Sequence, residues 1–535
     1  MTPFSRRRFL SGLSAGALAA ALPAAIPTGA SAFGAVTGFR LGVAEAAARD
    51  EVLAAFYRGR DFQGIWSGSG EGDARRRNAL LSAMAEAPVH GLGPRRHDPQ
   101  ALVRTLTAAR GPYDQGRAEV AMSRAFLDLA RDLGSGMLVP STVDPAIKRE
   151  PVAADPLAVM TVFPEEEPVA FLAGLAPASA EYARLLSAKL RLQDVAASGA
   201  WGEPAPSERL EPGQSGAAVA RLRDRLVAMG YMEPSISARY DDSLARAVAR
   251  AQGAHGLARD GVAGEATLAE INVSPEERLR AVLVALERER WNAAPRGARH
   301  VWVNLPAFEA QLVDEDRVTF RTRAVIGAAE PDRETPEFSD QMEFMVINPS
   351  WYVPRSIIVN EYLPQLRQNR NAVGHIDIID SAGRTVSRGS VDVGGSFPYG
   401  MRQPPGPRNA LGFVKFMFPN PWNIYLHDTP EKSLFDREVR AFSHGCIRLQ
   451  EPFDFAYTLL ARQTADPQGF FEERLGPGAE TRVDLDQPIP VHLDYRTAFT
   501  GVRGGLQFRR DVYGRDGRIW ARLEAEGVEA VPLGA

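Results

Sequence analysis

A single cysteine stands in 535 residues. That excludes an intrachain disulfide and any cysteine-rich metal site, while leaving room for one reactive thiol. Lysine is almost as scarce, 4 residues against 58 arginines, which reads as a compositional habit of the source rather than a binding patch. The formal net charge is only −4, so no general attraction to nucleic acid is expected. Beyond the N-terminal stretch no run of about 18 consecutive apolar side chains occurs, so no stable membrane span is expected in the mature chain. Low-complexity disorder is excluded too, because 45% of the residues are hydrophobic and 24% charged, as in ordinary globular proteins. The length suits about three domains.

The N-terminus reads as an address. Ser5-Arg-Arg-Arg8-Phe9-Leu10 precedes an apolar, alanine-rich stretch to Ile26 and a small-residue Ala30-Ser31-Ala32. Basic, then apolar, then A-x-A is the order of an export signal, with cleavage expected after residue 32. The paired arginines before Phe-Leu resemble the twin-arginine signal, which implies a folded protein sent to the periplasm or cell envelope. An uncleaved anchor is the competing reading, and Pro23, Pro27 and the weak hydrophobicity of Ala and Gly argue against it. Loss of residues 1–32 removes three Arg and no acids, taking the charge from −4 to −7.

The remainder reads as a multidomain α+β protein. Residues 33–207 form a helical scaffold, with apolar side chains three and four apart over 51–57 and 118–133 and Gly/Pro loops such as Gly91-Leu92-Gly93-Pro94 between helices. His90 and His97 lie in turn-rich text and read as solvated loop residues, and no catalytic constellation appears. After Pro204, Pro206 and Pro212 comes a compact segment, 208–273. Its Leu210, Gly213, Gly216, Val219, Leu222, Leu226, Gly230-Tyr231, Tyr240-Asp241, Gln252, His255-Gly256-Leu257, Asp260-Gly261 and Leu268 resemble a small three-helix peptidoglycan-binding domain. It departs from that family at Arg223 and Ala251. Residues 274–298 read as a charged helical connector. From 299 to 497 the period shortens to that of a β-rich domain, with runs at 301–305, 318–325, 343–347 and 423–427 and a helix over 356–369. A C-terminal extension, 498–535, follows.

The chemistry gathers around the cysteine. Ser443-His444-Gly445-Cys446-Ile447-Arg448 sets a thiol beside an imidazole, a glycine and a guanidinium, and His427 lies upstream at the end of an expected strand. A thiol becomes a strong nucleophile as thiolate, and a histidine within reach can take its proton and later return it to a leaving amine. Glycine lets the backbone approach a substrate and aim N–H groups at an oxyanion. Arg448 can hold a carboxylate in a fork. A buried structural cysteine is the plain alternative. Zinc binding by Cys446, His444 and His427 is disfavoured by spacing and by Arg448. The residues alone leave open which histidine is the base.

Ser-His-Gly-Cys-x-Arg with an upstream His resembles the signature of the L,D-transpeptidase (YkuD-type) catalytic domain. Arg323–Gly327, Asp332–Pro336, Asn348–Ile357, Arg402–Gly412, Lys415-Phe, Phe418-Pro-Asn420 and Ile424–Pro430 continue the likeness, and the domain order is similar to the large YcbB-like members. The resemblance implies Cys446 as nucleophile, His427 as general base and acid, and the Asp428 backbone carbonyl orienting His427. It implies Gly445 and Cys446 N–H groups, helped by Tyr425, facing the oxyanion. Ser443, His444 and Arg448 would shape the site, Trp351 and Trp422 would line the donor groove, and a cap over about 360–401 would cover it. The implied partners are peptidoglycan stem peptides and glycan, with other wall-synthesis proteins as further candidates. The reaction needs no metal or organic cofactor, and carbapenems would acylate Cys446. A carboxypeptidase, a lipoprotein-anchoring or -releasing enzyme with the same site, and a non-catalytic wall-binding protein are the competing readings.

Overall fold

The computed structural model describes residues 38–292, 295–501 and 504–530; the export signal expected over 1–32 lies outside them. The helical region is held by an aromatic core in which Trp66, Phe126, Phe163 and Phe171 pack together in tilted and edge-on pairs. One reading from sequence is corrected here. His97 is buried, with Nε2 3.0 Å from an Asp132 carboxylate oxygen, and His90 Nδ1 meets the Tyr182 hydroxyl at 3.0 Å. Neither is a solvated loop residue, because each has a polar partner from a distant helix that local sequence does not reveal.

Helices Ala217–Ala228, Asp242–Ala254 and Glu265–Ile271 enclose a small core of Leu222, Leu226, Leu244, Val248 and Leu268. The first two helices are followed by turns at Gly230 and Gly256, whose φ of 78° and 73° lies in the left-handed region that glycine occupies without cost. Arg223 is an internal brace. Its guanidinium donates to the Arg239 carbonyl at 2.7 Å and to Asp241 at 3.1 Å.

Helix Pro275–Trp291 begins with a capping box between Ser274 and Glu277. Its charges led to an expectation of a connector, and the structure corrects that. Glu287, Arg288, Glu289 and Arg290 are all buried. Arg290 pairs with Glu287 at 2.8 Å, Arg288 with Glu337 at 2.7 Å and Asp516 at 2.8 Å, and Glu289 with Arg496. The helix is the shared spine of the molecule, packed between helix Ala180–Ser198 and helix Arg515–Ala525. Most of the partners lie far along the chain, so local pattern could only suggest a solvated face.

The β-rich region contains β1 (Arg299–Asn304), β2 (Glu309–Asp314), β3 (Arg317–Gly327), β4 (Phe338–Ile347), β5 (Trp351–Tyr352), β6 (Asp377–Ile379), β7 (Gly400–Gln403), β8 (Val414–Met417), β9 (Leu426–His427), β10 (Ala441–Ser443), β11 (Ile447–Leu449) and β12 (Thr481–Asp494). Nine of these form one sheet in the order β10-β3-β11-β9-β8-β4-β12-β1-β2. Because β2 also pairs with β3, eight of the strands close into a ring, and β10 joins it at the margin through β3 alone. Its interior is filled by Val301, Leu312, Ile326, Met345, Phe416, Leu426, Ile447 and Leu493. The strand expected over 423–427 is shortened to Leu426–His427, since Asn423 takes a left-handed φ of 55°.

Strands β5, β7 and β6 form a separate small sheet. With the helical run Arg355–Gln368, which includes a π-helical turn at Ile358–Tyr362, they enclose their own core of Ile357, Leu366, Ile378, Val391 and Met401. This is the region anticipated as a cap. The C-terminal segment continues with β13 (Ala498–Thr500) and β14 (Leu506–Phe508), which pair antiparallel, and ends in helix Arg515–Ala525.

Candidate active site

β9 and β11 run parallel and adjacent, and His427 lies directly across from Arg448. On the other side of β9, Lys415 of β8 is the residue opposite His427. Side chains of paired residues leave the same face of a sheet, as do those two residues apart. One face therefore carries Lys415, His427 and Arg448, with Tyr425 and Cys446 one pleat earlier. Cys446 directly precedes β11, where the Ile447 N–H donates to the Tyr425 carbonyl at 3.0 Å. Its thiol is half-buried and points at the Asn423 carbonyl, 3.5 Å away.

His427 is buried, and its Nδ1 lies against the backbone carbonyl of Asp428. A carbonyl only accepts, so Nδ1 carries the proton and Nε2 is left with a free lone pair. The Asp428 carboxylate is used elsewhere, accepting from the Phe413 N–H at 2.9 Å, the Thr429 N–H at 2.7 Å and Lys432 Nζ at 2.6 Å. Tyr425 sits edge-on to the His427 ring at 5.7 Å. Burial, and after it the neighbouring Cys446 thiol, hold the Tyr425 hydroxyl well above its usual pKa.

The Ser443–Cys446 turn is tightly held. Gly445 has a φ of 105°, where a β-carbon would be strained and would meet Ile424 at 3.1 Å. Its carbonyl accepts from the Thr335 hydroxyl at 2.7 Å. The Ser443 hydroxyl donates to the Cys446 carbonyl. One expectation is corrected by this turn. The Gly445 N–H donates to Ser443 Oγ at 3.2 Å and is not free to face an oxyanion, because a one-residue turn folds it back on Ser443. The Cys446 N–H makes no such internal bond among the described residues.

Residues 298–468 match the family described as L,D-transpeptidase catalytic domain, YkuD. Residues 51–188 match a scaffold domain family, and 215–271 a peptidoglycan binding domain family. The YkuD match contains every residue of the face just described. The chain carries a YkuD L,D-transpeptidase catalytic domain. A Haemophilus influenzae protein named as an L,D-transpeptidase is 31% identical over 245 residues, which is 44% of this chain and 48% of the relative. The chain thus spans about half the length of that curated relative. A crystal structure of an L,D-transpeptidase from Xylanimonas cellulosilytica covers 55% of this chain and 100% of its own, at 16% identity and a TM-score of 0.17, too low to bear on the fold.

Within the L,D-transpeptidase domain the remaining anticipated residues separate. Trp351, on β5, packs edge-on against Tyr362 of the cap region at 6.4 Å. His444 points to the cap, where its Nε2 meets Glu361 at 2.6 Å, and the same carboxylate oxygen takes Arg333 at 2.8 Å. Arg448 is engaged by Glu431. Trp422 packs on Phe338 at 4.6 Å and under Lys148 at 5.9 Å, at the seam with the helical region.

Electrostatics favour the neutral forms of both the His427 imidazole and the Cys446 thiol. Burial, then the charges of Arg448, Lys415 and Lys432, push His427 down to about 3 against the opposing Asp428 carbonyl. Burial pushes the Cys446 thiol up to about 11, although Tyr425, Arg448 and Lys415 pull the other way. Lys415 had no role assigned from sequence. The available signal was the scarcity of lysine, since two of the four, Lys415 and Lys432, border this site. Among the described residues no cluster of His, Cys, Asp and Glu is arranged to hold a metal.

Proposed function

We propose that the protein is an L,D-transpeptidase of peptidoglycan that works through a thioester on Cys446. The observation that carries this is the shared face of β9 and β11. There a histidine with its Nδ1 proton fixed on a carbonyl presents a free Nε2 on the side of the sole thiol, inside the matched YkuD domain. Since thiol and imidazole are both neutral at rest, proton transfer accompanies attack. Cys446 Sγ bonds to the carbonyl carbon between the L-centre of the third-position diamino acid and the terminal D-alanine, as Nε2 takes the thiol proton. The Cys446 N–H and the Tyr425 hydroxyl stabilise the oxyanion. The C–N bond breaks, His427 returns the proton to the departing D-alanine amine, and the thioester remains.

An amine of a second stem then attacks the thioester and gives its proton to His427. Collapse releases the 3–3 cross-linked product and restores the thiol. The peptidoglycan-binding region, 215–271, would hold the enzyme on glycan. Both domain types suit a protein of the cell envelope, and among the described residues no helix is long and apolar enough to cross a membrane.

The test is incubation of the protein and its Cys446→Ala variant with disaccharide-tetrapeptide, with products weighed by mass spectrometry. A dimer lacking one D-alanine, made only by the protein with Cys446, is expected. A carbapenem is expected to add its mass to Cys446. Tripeptide as the sole product would make the enzyme an L,D-carboxypeptidase. Transfer to a lipoprotein lysine alone would make it an anchoring enzyme, and identical inertness of both proteins would leave a wall-binding role.

A further inference from the structure

The face that bears His427 and Cys446 is bordered by three cations, of which two are already neutralised. Arg448 is paired with Glu431, and Lys432 with Asp428 at 2.6 Å. Lys415 is different. It lies opposite His427 in the β8–β9 ladder, and its ammonium stands 6.0 Å from the centre of the Tyr425 ring, on the face that carries the thiol. Among the described residues no carboxylate lies within 4.0 Å of it. The acid that acts on it is exposed Glu480, whose carboxylate is occupied by the Ser350 N–H at 2.6 Å. A half-buried ammonium without a counter-ion is costly to maintain, and a substrate anion arriving beside it recovers that cost. Lysine suits the task as a compact point charge on a flexible stem.

The donor stem brings such an anion. Its terminal carboxylate carbon is separated from the scissile carbonyl only by one nitrogen and one Cα, which places it within about 4 Å of the carbon that Cys446 attacks. We propose that Lys415 is the anchor for the carboxylate of the departing D-amino acid. The assignment rests on the donor reading above. Lys415 thereby selects donors that end in a free carboxylate directly after the scissile bond, and sets that bond over Sγ.

The test uses two probes on the full chain, with Lys415→Met and Lys415→Arg as variants and melting temperature as the check on folding. The first is alkylation. Cys446 is the only cysteine, so iodoacetate and iodoacetamide report on it alone. The ratio of their rates cancels any change in the thiol's own acidity. A hydrogen bond to a charged group corresponds to roughly ten- to a hundredfold. The iodoacetate-to-iodoacetamide ratio is therefore expected to fall about tenfold in Lys415→Met and to recover in Lys415→Arg.

The second probe compares tetrapeptide donors ending in a carboxylate and in an amide. Lys415→Met is expected to lose about tenfold or more in kcat/KM for the carboxylate donor, chiefly through KM, and little for the amide. An unchanged alkylation ratio would overturn the proposal. So would equal losses on both donors, which would make Lys415 a general electrostatic influence on the thiol. If the unmodified protein turns over neither donor, the transpeptidase reading fails, and the alkylation ratio still decides whether Lys415 is an anion anchor.

Discussion

Between about pH 4 and pH 10 Cys446 and His427 stand on one face of the sheet as thiol and neutral imidazole. Cys446 is an acid with a raised pKa of about 11, so its thiolate appears only as pH climbs through that value. His427 is a base with a lowered pKa of about 3, so it stays unprotonated well below 6.5. The sign for stability follows. The unfolded chain binds a proton at His427 below about 6.5 while the folded chain does not, so that contribution is present above 6.5 and is lost as pH falls toward about 3. For reactivity, the prediction is an iodoacetamide rate that keeps rising past pH 9 toward an inflection near 11. At pH 7 it should run about a hundredfold or more below that of an ordinary cysteine. A plateau between pH 6 and 8 would instead mean a preformed thiolate–imidazolium pair. The identities of these residues were legible in the sequence, as Cys446 and His427 stand in a recognisable pattern. The engagement of Gly445 N–H by Ser443 and of Arg448 by Glu431 was not, because both depend on how a turn closes in space.

At the scale of elements, the Ser443–Cys446 turn is supported from well outside its own strand pair. The Thr335 hydroxyl donates to the Gly445 carbonyl at 2.7 Å, while its oxygen accepts from the Gly327 N–H at 2.9 Å. Tyr513, from the C-terminal segment, donates to the Gly327 carbonyl at 2.7 Å and accepts from the Thr335 N–H at 3.3 Å. Thr335→Val keeps the shape, removes the hydroxyl, and leaves the buried Gly445 carbonyl without its donor. The expected outcome is a drop in kcat of about tenfold with KM nearly unchanged, and a loss of stability of about 1–2 kcal/mol by denaturant unfolding. Loss of stability with kcat intact would reduce Thr335 to a packing residue. Strand runs such as 343–347 were legible from their β-rich runs between turns, and the 275–291 segment as a charged helix. Which charges of that helix would be buried was not, since Arg288 finds Glu337 and Asp516 only after the chain has folded across 49 and 228 residues.

For the whole molecule, the matched catalytic family ends at residue 468, but the folding unit does not. β12 lies beyond that limit and pairs in parallel with β1 and antiparallel with β4, joining the two halves of the closed sheet. A fragment of residues 295–468 would leave both neighbours as bare edges and expose Val301, Val303, Met342 and Met345, which the closed sheet buries. It is expected to aggregate or to lack cooperative unfolding. A fragment of residues 295–497 recovers β12 but still lacks Arg515, which is fully buried against Glu337 at 3.2 Å and Glu334 at 3.0 Å. Those carboxylates flank Thr335 and would be left without their cation, and the Arg288 that also meets Glu337 is missing as well. Removing one side of a buried pair is more damaging than never having built it. The second fragment is therefore expected to fold with a lowered melting temperature and to release D-alanine at least about tenfold more slowly than the full chain. Circular dichroism and a D-alanine assay read both quantities. A 295–468 fragment that is monomeric, unfolds cooperatively and works at the full rate would show that the spine helix and C-terminal segment are appendages rather than parts of the catalytic fold.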